Sequence, residues 1–150
     1  MSSYSLTENQ MDGGSNTAVH YNYVGGSFWP IDGLSFDPSL EFMQTQDNRS
    51  HYLTETLTAN LGLNYSIWDR SLKIFLNGYH SNSHDSDGYL DAQDIGVSLG
   101  IERDLKEILG LPHSDQKIIL KMNHYSYRDF IYSTSSSSES SALLLFKLTP

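Results

Sequence analysis

The chain has 150 residues, a formal charge of −9 and no cysteine. The length fits one domain, and the lack of cysteine excludes disulfides, thiolate metal ligands and a cysteine nucleophile. The acidic balance, with no run of basic residues, argues against a nucleic-acid partner, because phosphate binding needs clustered cations. Tyrosine (10) outnumbers phenylalanine (6), and charged residues make up only 18%. With many short polar residues beside these aromatics, the composition favours a β protein with long polar loops.

Apolar and polar residues alternate through much of the chain, with the period of two that is typical of a strand with one apolar face. The clearest case is 53–65, and 72–76 resumes the pattern after a turn at 67–70. These segments predict an antiparallel hairpin with strands longer than is usual in soluble sheets. In chain order the predicted strands are 4–10, 18–25, 34–46, 53–65, 72–76, 95–101, 118–132 and 142–148.

We therefore expect one all-β domain over 1–150, an antiparallel up-and-down meander of about eight strands. Residues 1–16 are either weakly structured or the first strand. Pro38 indicates a bulge or a strand start, because proline cannot donate a ladder hydrogen bond. The segment 104–112 predicts one or two helical turns.

The connections between these strands fall into two alternating classes. Four are strongly polar, at 11–16, 47–50, 80–89 and 133–138. The connections between them carry aromatic and aliphatic residues, such as Phe28 and Trp29 in a turn at 26–33 and Trp68 in the turn at 67–70. Alternate connections of a meander lie at the same end, so we expect one hydrophilic, long-looped rim and one rim that is tighter and richer in aromatics.

Long strands of alternating hydrophobicity, with long polar loops at one end and short turns at the other, resemble a bacterial outer-membrane β-barrel. The resemblance covers about 17–150, and fits either a small eight-stranded barrel or the C-terminal part of a larger porin-like barrel. It implies a closed transmembrane barrel whose outer face meets lipid and whose interior is polar. The lipid-facing residues inferred from the alternation are Leu53, Leu57, Leu61, Leu63, Leu72, Ile74, Leu76, Ile95, Val97, Leu99, Ile101, Ile118, Leu120, Leu144 and Phe146.

Two further sets of residues follow from the same resemblance. Charges on the polar face would line the lumen or pair within it, since an eight-stranded barrel leaves an interior that side chains just fill. The candidate lumen charges are Glu41, Lys73, Glu102, Lys121 and Lys147. Aromatic residues near strand ends suit the two membrane interfaces. The candidate interface aromatics are Trp29, Trp68, Tyr21, Tyr23 and Tyr65.

The resemblance implies a non-enzymatic protein of the outer membrane of a Gram-negative bacterium, without a cofactor. Its role would be membrane anchoring, passive passage or display of polar loops to a surface ligand. Its partner would be the lipid bilayer or lipopolysaccharide. The alternative is a soluble all-β ligand- or carbohydrate-binding module, in which Trp29, Trp68 and the tyrosines stack on sugar rings.

One group of residues has the side-chain types that are found in metal-binding and catalytic sites. His80, His84, Asp85, Asp87 and Asp91 are close together in the sequence, but the further oxygen ligands of a calcium loop do not follow at the required spacing. A histidine–serine hydrolase at the rim would need a specific nucleophile, and the serine-rich segment 133–141 singles out none. We therefore predict a solvated loop, with no catalytic or metal-binding residue.

Overall fold

The computed structural model describes residues 3–12, 17–47, 50–67, 71–105 and 115–149. They form one antiparallel sheet of eight strands in which each strand pairs with the next along the chain. The strands are β1 (Ser3–Asp12), β2 (Thr17–Ile31), β3 (Leu34–Asp47), β4 (Leu53–Ile67), β5 (Leu72–Asp85), β6 (Asp91–Asp104), β7 (Asp115–Asp129) and β8 (Ser137–Thr149). The predicted up-and-down meander is confirmed. The helical turns predicted at 104–112 fall mainly outside the described residues.

Several strands are longer than the sequence predicted, and the loops between them are shorter. The loop expected at 80–89 was wrong in its first half, because β5 continues through Asp85 and pairs with β4 along this whole stretch. Thr56 and Thr58 each share a hydroxyl hydrogen bond with a serine of β5, at 3.0 and 2.9 Å. Such cross-strand Thr–Ser pairs stabilise a sheet without any apolar alternation, which is why the pattern did not reveal them.

The loop predicted at 133–138 lies at 130–136, because β7 ends at Asp129 and not near Tyr132, and the turn predicted at 26–33 is shorter than expected. A single 3-10 turn at Ser133–Ser135 is followed by β8, which begins at Ser137 within the serine-rich segment. β2 runs through Trp29 to Ile31, and only residues 32–33 form the turn. The bulge expected near Pro38 lies on the neighbouring strand, as a register shift between Phe28 and Ile31.

The sheet is open and consists of one layer. Among the described residues no ladder joins β8 to β1, so the sheet is not closed and the expected barrel closure is not confirmed. Among the side chains of 18–47, 50–67, 71–105 and 117–147, Ala92 is the only buried hydrophobic one. Most folded domains bury an apolar face between two layers, and this sheet leaves its faces uncovered. No helix within the described ranges is long and apolar enough to cross a membrane.

Candidate functional site

The ladders give every strand the same two faces, because directly opposed residues of a sheet point to the same side. One row runs from Phe36 through Leu63, Leu76 and Leu99 to Met122, across β3 to β7. We call this side the apolar face. The fifteen residues that the sequence assigned to lipid all lie on it. The pattern therefore placed each of them on the correct side of the sheet.

The apolar face divides into an apolar band and a polar margin. The band runs along β3 to β6 for about 20–26 Å at roughly 3.3 Å per residue, for example from Leu72 to Gly78 on β5 and from Leu57 to Tyr65 on β4. On β7 it is shorter, about 13 Å from Ile118 to Met122. Beyond it, toward the polar loops, the same face carries only polar and small residues on several strands. This polar margin comprises His20, Asn22, Gln44, Gln46, Glu55, His80, Asn82, His84, Asp91, Gln93, His124, Ser126, Arg128, Ser138 and Ser140.

The opposite side, the polar face, holds all five candidate lumen charges. Lys73 lies directly across from Glu102, and Glu102 accepts a 2.6 Å hydrogen bond from Lys117 of β7. Lys121 and Lys147 lie on the same face of β7 and β8. The lysines of this face therefore gather at the short-turn end, a basic corner in a chain whose net charge is −9.

A second group on the polar face surrounds Glu41. The carboxylate accepts a hydrogen bond from the Asn60 amide at 2.8 Å and one from the Tyr21 hydroxyl at 3.3 Å. The same Asn60 amide nitrogen also donates to Ser39, at 3.1 Å. This carboxylate is thus held by neutral donors on two neighbouring strands, unlike Glu102, which pairs with a lysine.

Two adjacent rows cross the middle of the polar face. The amide row, directly paired from β3 to β8, is Asp37, Gly62, Asn77, Ser98, Asn123 and Ser141. The aromatic row beside it is Ser39, Asn60, Tyr79, Gly96, Tyr125 and Glu139. Members of both rows line one cavity of about 520 Å³. The lining reaches from β3 to β7. On this side a Cβ added at Gly96 or Gly100 would lie within 3 Å of an aromatic ring, whereas the nearest atom to one added at Gly78, on the apolar face, is 3.6 Å away. Side chains thus crowd on the polar face and spread apart on the apolar face, as they do on the inner and outer sides of a curved sheet. The polar face is therefore concave.

The candidate interface aromatics lie on different faces. Tyr65 is on the apolar face at the short-turn end of β4, opposite Ile74. Trp29 is exposed and lies near the turn at 32–33. Tyr21 and Tyr23 lie on the polar face, across from Met43 and Glu41, where Tyr21 donates its hydroxyl hydrogen bond. Trp68 lies outside the described residues.

The histidines and aspartates of the predicted loop do not converge. His80 and His84 lie on the polar margin, where His84 contacts Glu55 at 2.9 Å and His80 contacts the amide of Gln93 at 2.7 Å. Asp85 lies on the other face and accepts hydrogen bonds from the Tyr52 hydroxyl and the Tyr89 backbone amide. Within the described ranges no group of three His, Asp or Glu residues is placed to hold a metal ion.

Sequence reasoning missed the amide and aromatic rows. Each strand contributes only one or two of their residues, so the rows exist only once the register of six strands is known. The signal was the alternation Gly96-x-Ser98-x-Gly100 in β6, which leaves the middle of the polar face without bulky side chains. Neither a protein-family model nor a curated protein matches this chain.

Proposed function

We propose that this chain forms the wall of an outer-membrane β-barrel, with the apolar face against lipid and the polar face around an aqueous lumen. The observation that carries the proposal is the direction of curvature. A soluble barrel turns its apolar face inward, whereas here the concave face is polar and the convex face is apolar. Convex apolar and concave polar surfaces are the arrangement of a barrel that has lipid outside and water inside.

The exposure of the apolar face supports the same orientation. Large aliphatic and aromatic side chains of the apolar band are exposed. The exposed fractions are 44% for Leu99, 56% for Leu144 and 72% for Phe146. Soluble proteins rarely expose contiguous apolar surface larger than a few hundred Å². A band of about 20–26 Å along β3 to β6 would be roughly 14–21 Å tall at the 35–45° strand tilt of transmembrane barrels, which is most of their ~25 Å apolar belt.

The polar margin and the strand lengths distinguish the two ends of the proposed barrel. Strands such as β4 (Leu53–Ile67) and β5 (Leu72–Asp85) span about 45–50 Å at roughly 3.3 Å per residue. They therefore continue beyond the apolar band on the side of the polar loops. We assign this side to the outer surface of a Gram-negative cell, where the polar margin would lie among lipopolysaccharide headgroups.

The two edges of the sheet must pair for this wall to function in a membrane. An unpaired strand edge in hydrocarbon leaves backbone N–H and C=O groups without partners, at a cost of several kcal/mol each. β1 and β8 therefore close on one another, or on further strands that complete a wider barrel. The first arrangement favours an anchor or a loop-display protein, because eight strands leave little lumen, and the second favours a pore.

The test places an environment-sensitive fluorophore on each face. The chain contains no cysteine, so Leu120→Cys and Lys121→Cys each create one labelling site at consecutive positions on opposite faces of β7. The labelled proteins are refolded into phosphatidylcholine vesicles. We expect a nitroxide carried on the lipid tails to quench the label at 120, and dissolved iodide to quench the label at 121.

Two other results would refute the proposal. If iodide quenches the label at 120 and not the label at 121, the apolar face is turned inward or covered by protein. If both proteins stay in solution without detergent and neither label responds to the lipid nitroxide, the chain is the soluble binding module that is the alternative interpretation.

A further inference from the structure

We infer that the cavity on the polar face is a binding site for a neutral saccharide, held by the amide row and stacked on the aromatic row. The inference rests on the proposed function in one respect: the polar face must be open to water. It goes further by assigning a ligand class to the middle of that face.

The amide row supplies hydrogen-bonding groups that the protein itself leaves unused. The Ser98 hydroxyl oxygen is buried and, within the described residues, has no hydrogen-bond partner. Its two neighbours in the row are Asn77 and Asn123. Asn123 donates its amide nitrogen to Ser141 at 3.3 Å, which leaves the amide oxygen as an acceptor. A buried hydroxyl without a partner is unfavourable, so a ligand that bonds to Ser98 when its side chain turns toward the cavity removes an existing penalty.

The aromatic row supplies a flat apolar surface beside these groups. The ring of Tyr79 lies over Gly96, because a Cβ added at Gly96 would meet ring atoms of Tyr79 at 2.2 to 2.9 Å. Tyr125 lies across from Gly96 on the other side and donates its hydroxyl to Asp94 at 2.8 Å. One face of the Tyr79 ring therefore lies against the sheet and the other is turned away from it. Sugar rings combine an apolar C–H face with a rim of hydroxyls, and this pairing of a ring with amides fits both parts.

The charges around the cavity select against anionic ligands. Among the described residues no lysine or arginine lines it, and Asp37 is the only carboxylate that does. Glu41 and Asp94 flank it on the same face. An anionic ligand would meet repulsion without any compensating cation, and a single lining carboxylate is too few for a calcium site. The remaining groups that line the cavity are uncharged hydrogen-bond donors and acceptors, and these match the hydroxyl groups of a sugar.

The experiment measures binding by titration calorimetry of the full chain in detergent micelles. The probes are maltohexaose and cellohexaose, two neutral linear glucans, and hexagalacturonate, an anionic chain of similar length. We expect one neutral glucan to bind and the anionic chain not to bind. Ser98→Ala should weaken binding about five-fold, the size of one hydrogen bond, while unfolding in urea stays the same or shifts to higher concentration. Ser126→Ala, on the opposite face of β7, should change neither.

The possible failures separate this inference from the proposed function. If neither glucan binds while iodide reaches the label at 121, the lumen is aqueous and the saccharide site is refuted. If hexagalacturonate binds as tightly as the neutral chains, the assigned ligand class is wrong. If Ser98→Ala lowers stability and leaves binding unchanged, the hydroxyl is structural and the site does not include it. If iodide fails to reach the label at 121, both the proposed function and the saccharide site are refuted.

Discussion

Tyr79 lies directly across the β5–β6 ladder from Gly96, and its ring fills the space that a side chain at residue 96 would occupy. Phe75 and Gly100 repeat the arrangement four residues further along β6. Both glycines are on the concave face, where neighbouring side chains crowd. Because the glycines have no side chains, two aromatic rings can lie flat on the concave face, where other side chains would crowd them.

Gly96→Ala should therefore destabilise the sheet and lift the Tyr79 ring. The added methyl would lie 2.2 Å from a ring atom, and such overpacking costs typically about 1–3 kcal/mol. The free energy of unfolding, measured in urea with the protein in detergent micelles, is the readout. Gly78→Ala is the matched control, since the nearest atom to its added methyl is the Gly96 carbonyl oxygen at 3.6 Å. Equal stability of the two variants would contradict the packing described here.

The face of each strand could be predicted from the sequence because a period of two depends on local residues alone. Leu57, Leu61 and Leu63 alternate with threonine, asparagine and glycine, and any sheet must place them on one side. The expectation held less well in β2, where Tyr21 and Tyr23 lie on the polar face and His20 and Asn22 on the other. Aromatic residues fit either face, and the polar margin reverses the usual pattern at that end of the strand.

The strand ends and the cavity could not be predicted from the sequence, because both depend on contacts between different strands. Ser81 and Ser83 belong to β5 because Thr58 and Thr56 bond to them from β4. In the same way, Asn77, Ser98 and Asn123 come together only through the registers of β5, β6 and β7. Neither set of contacts changes the local composition of the sequence. A polar stretch is therefore predicted to be a loop until its partner strand is known.

Replacing Leu144 with arginine should block insertion into lipid, whereas the same change at Leu143 should be tolerated. The two leucines are consecutive in β8, have similar exposures of 56% and 47%, and lie on the apolar and polar faces respectively. An arginine on the lipid face costs about 2–4 kcal/mol at the bilayer midplane and less toward the interfaces, whereas a lumen position carries no such cost. The fraction of protein that refolds into phosphatidylcholine vesicles, read as a heat-modifiable gel band, is the measurement. Similar loss in both variants would mean that the faces are not in different solvents.

Neutralising Glu102 should make the proposed lumen more attractive to anions. Glu102 lies between Lys73 and Lys117, and is 2.6 Å from the latter. Glu102→Gln removes one negative charge from the basic corner, where Asp104 also lies across from Lys117, and leaves the lysines in place. The reversal potential under a KCl gradient across a planar bilayer should shift toward chloride. Glu55→Gln makes the same chemical change on the polar margin of the opposite face and should leave the reversal potential unchanged. No shift in Glu102→Gln would place this corner away from the conducting path.

The contact between Tyr52 and Asp85 should make the loop end of the sheet more resistant to acid. Asp85 lies beyond the apolar band, and desolvation acts to raise the pKa of its carboxyl. The hydrogen bonds from Tyr52 and from the backbone amides of Leu90, Tyr89 and Gly88 outweigh this and hold the pKa below its ordinary value. A group whose pKa is lowered by folding stabilises the folded state above its unfolded pKa, and that contribution is lost as the pH falls through the folded value.

Tyr52→Phe should therefore raise the pKa of Asp85 toward its ordinary value, because it removes the side-chain donor and leaves the backbone amides. Carboxyl ¹³C chemical shifts of Asp85, followed by NMR between neutral and strongly acidic pH, measure this directly. Tyr89→Phe is the control, since the Tyr89 side chain is 70% exposed and only its backbone amide reaches Asp85, at 2.9 Å. If both variants titrate like the parent, the tyrosine hydroxyl does not hold the carboxylate, and the loop end owes its acid resistance to the backbone amides alone.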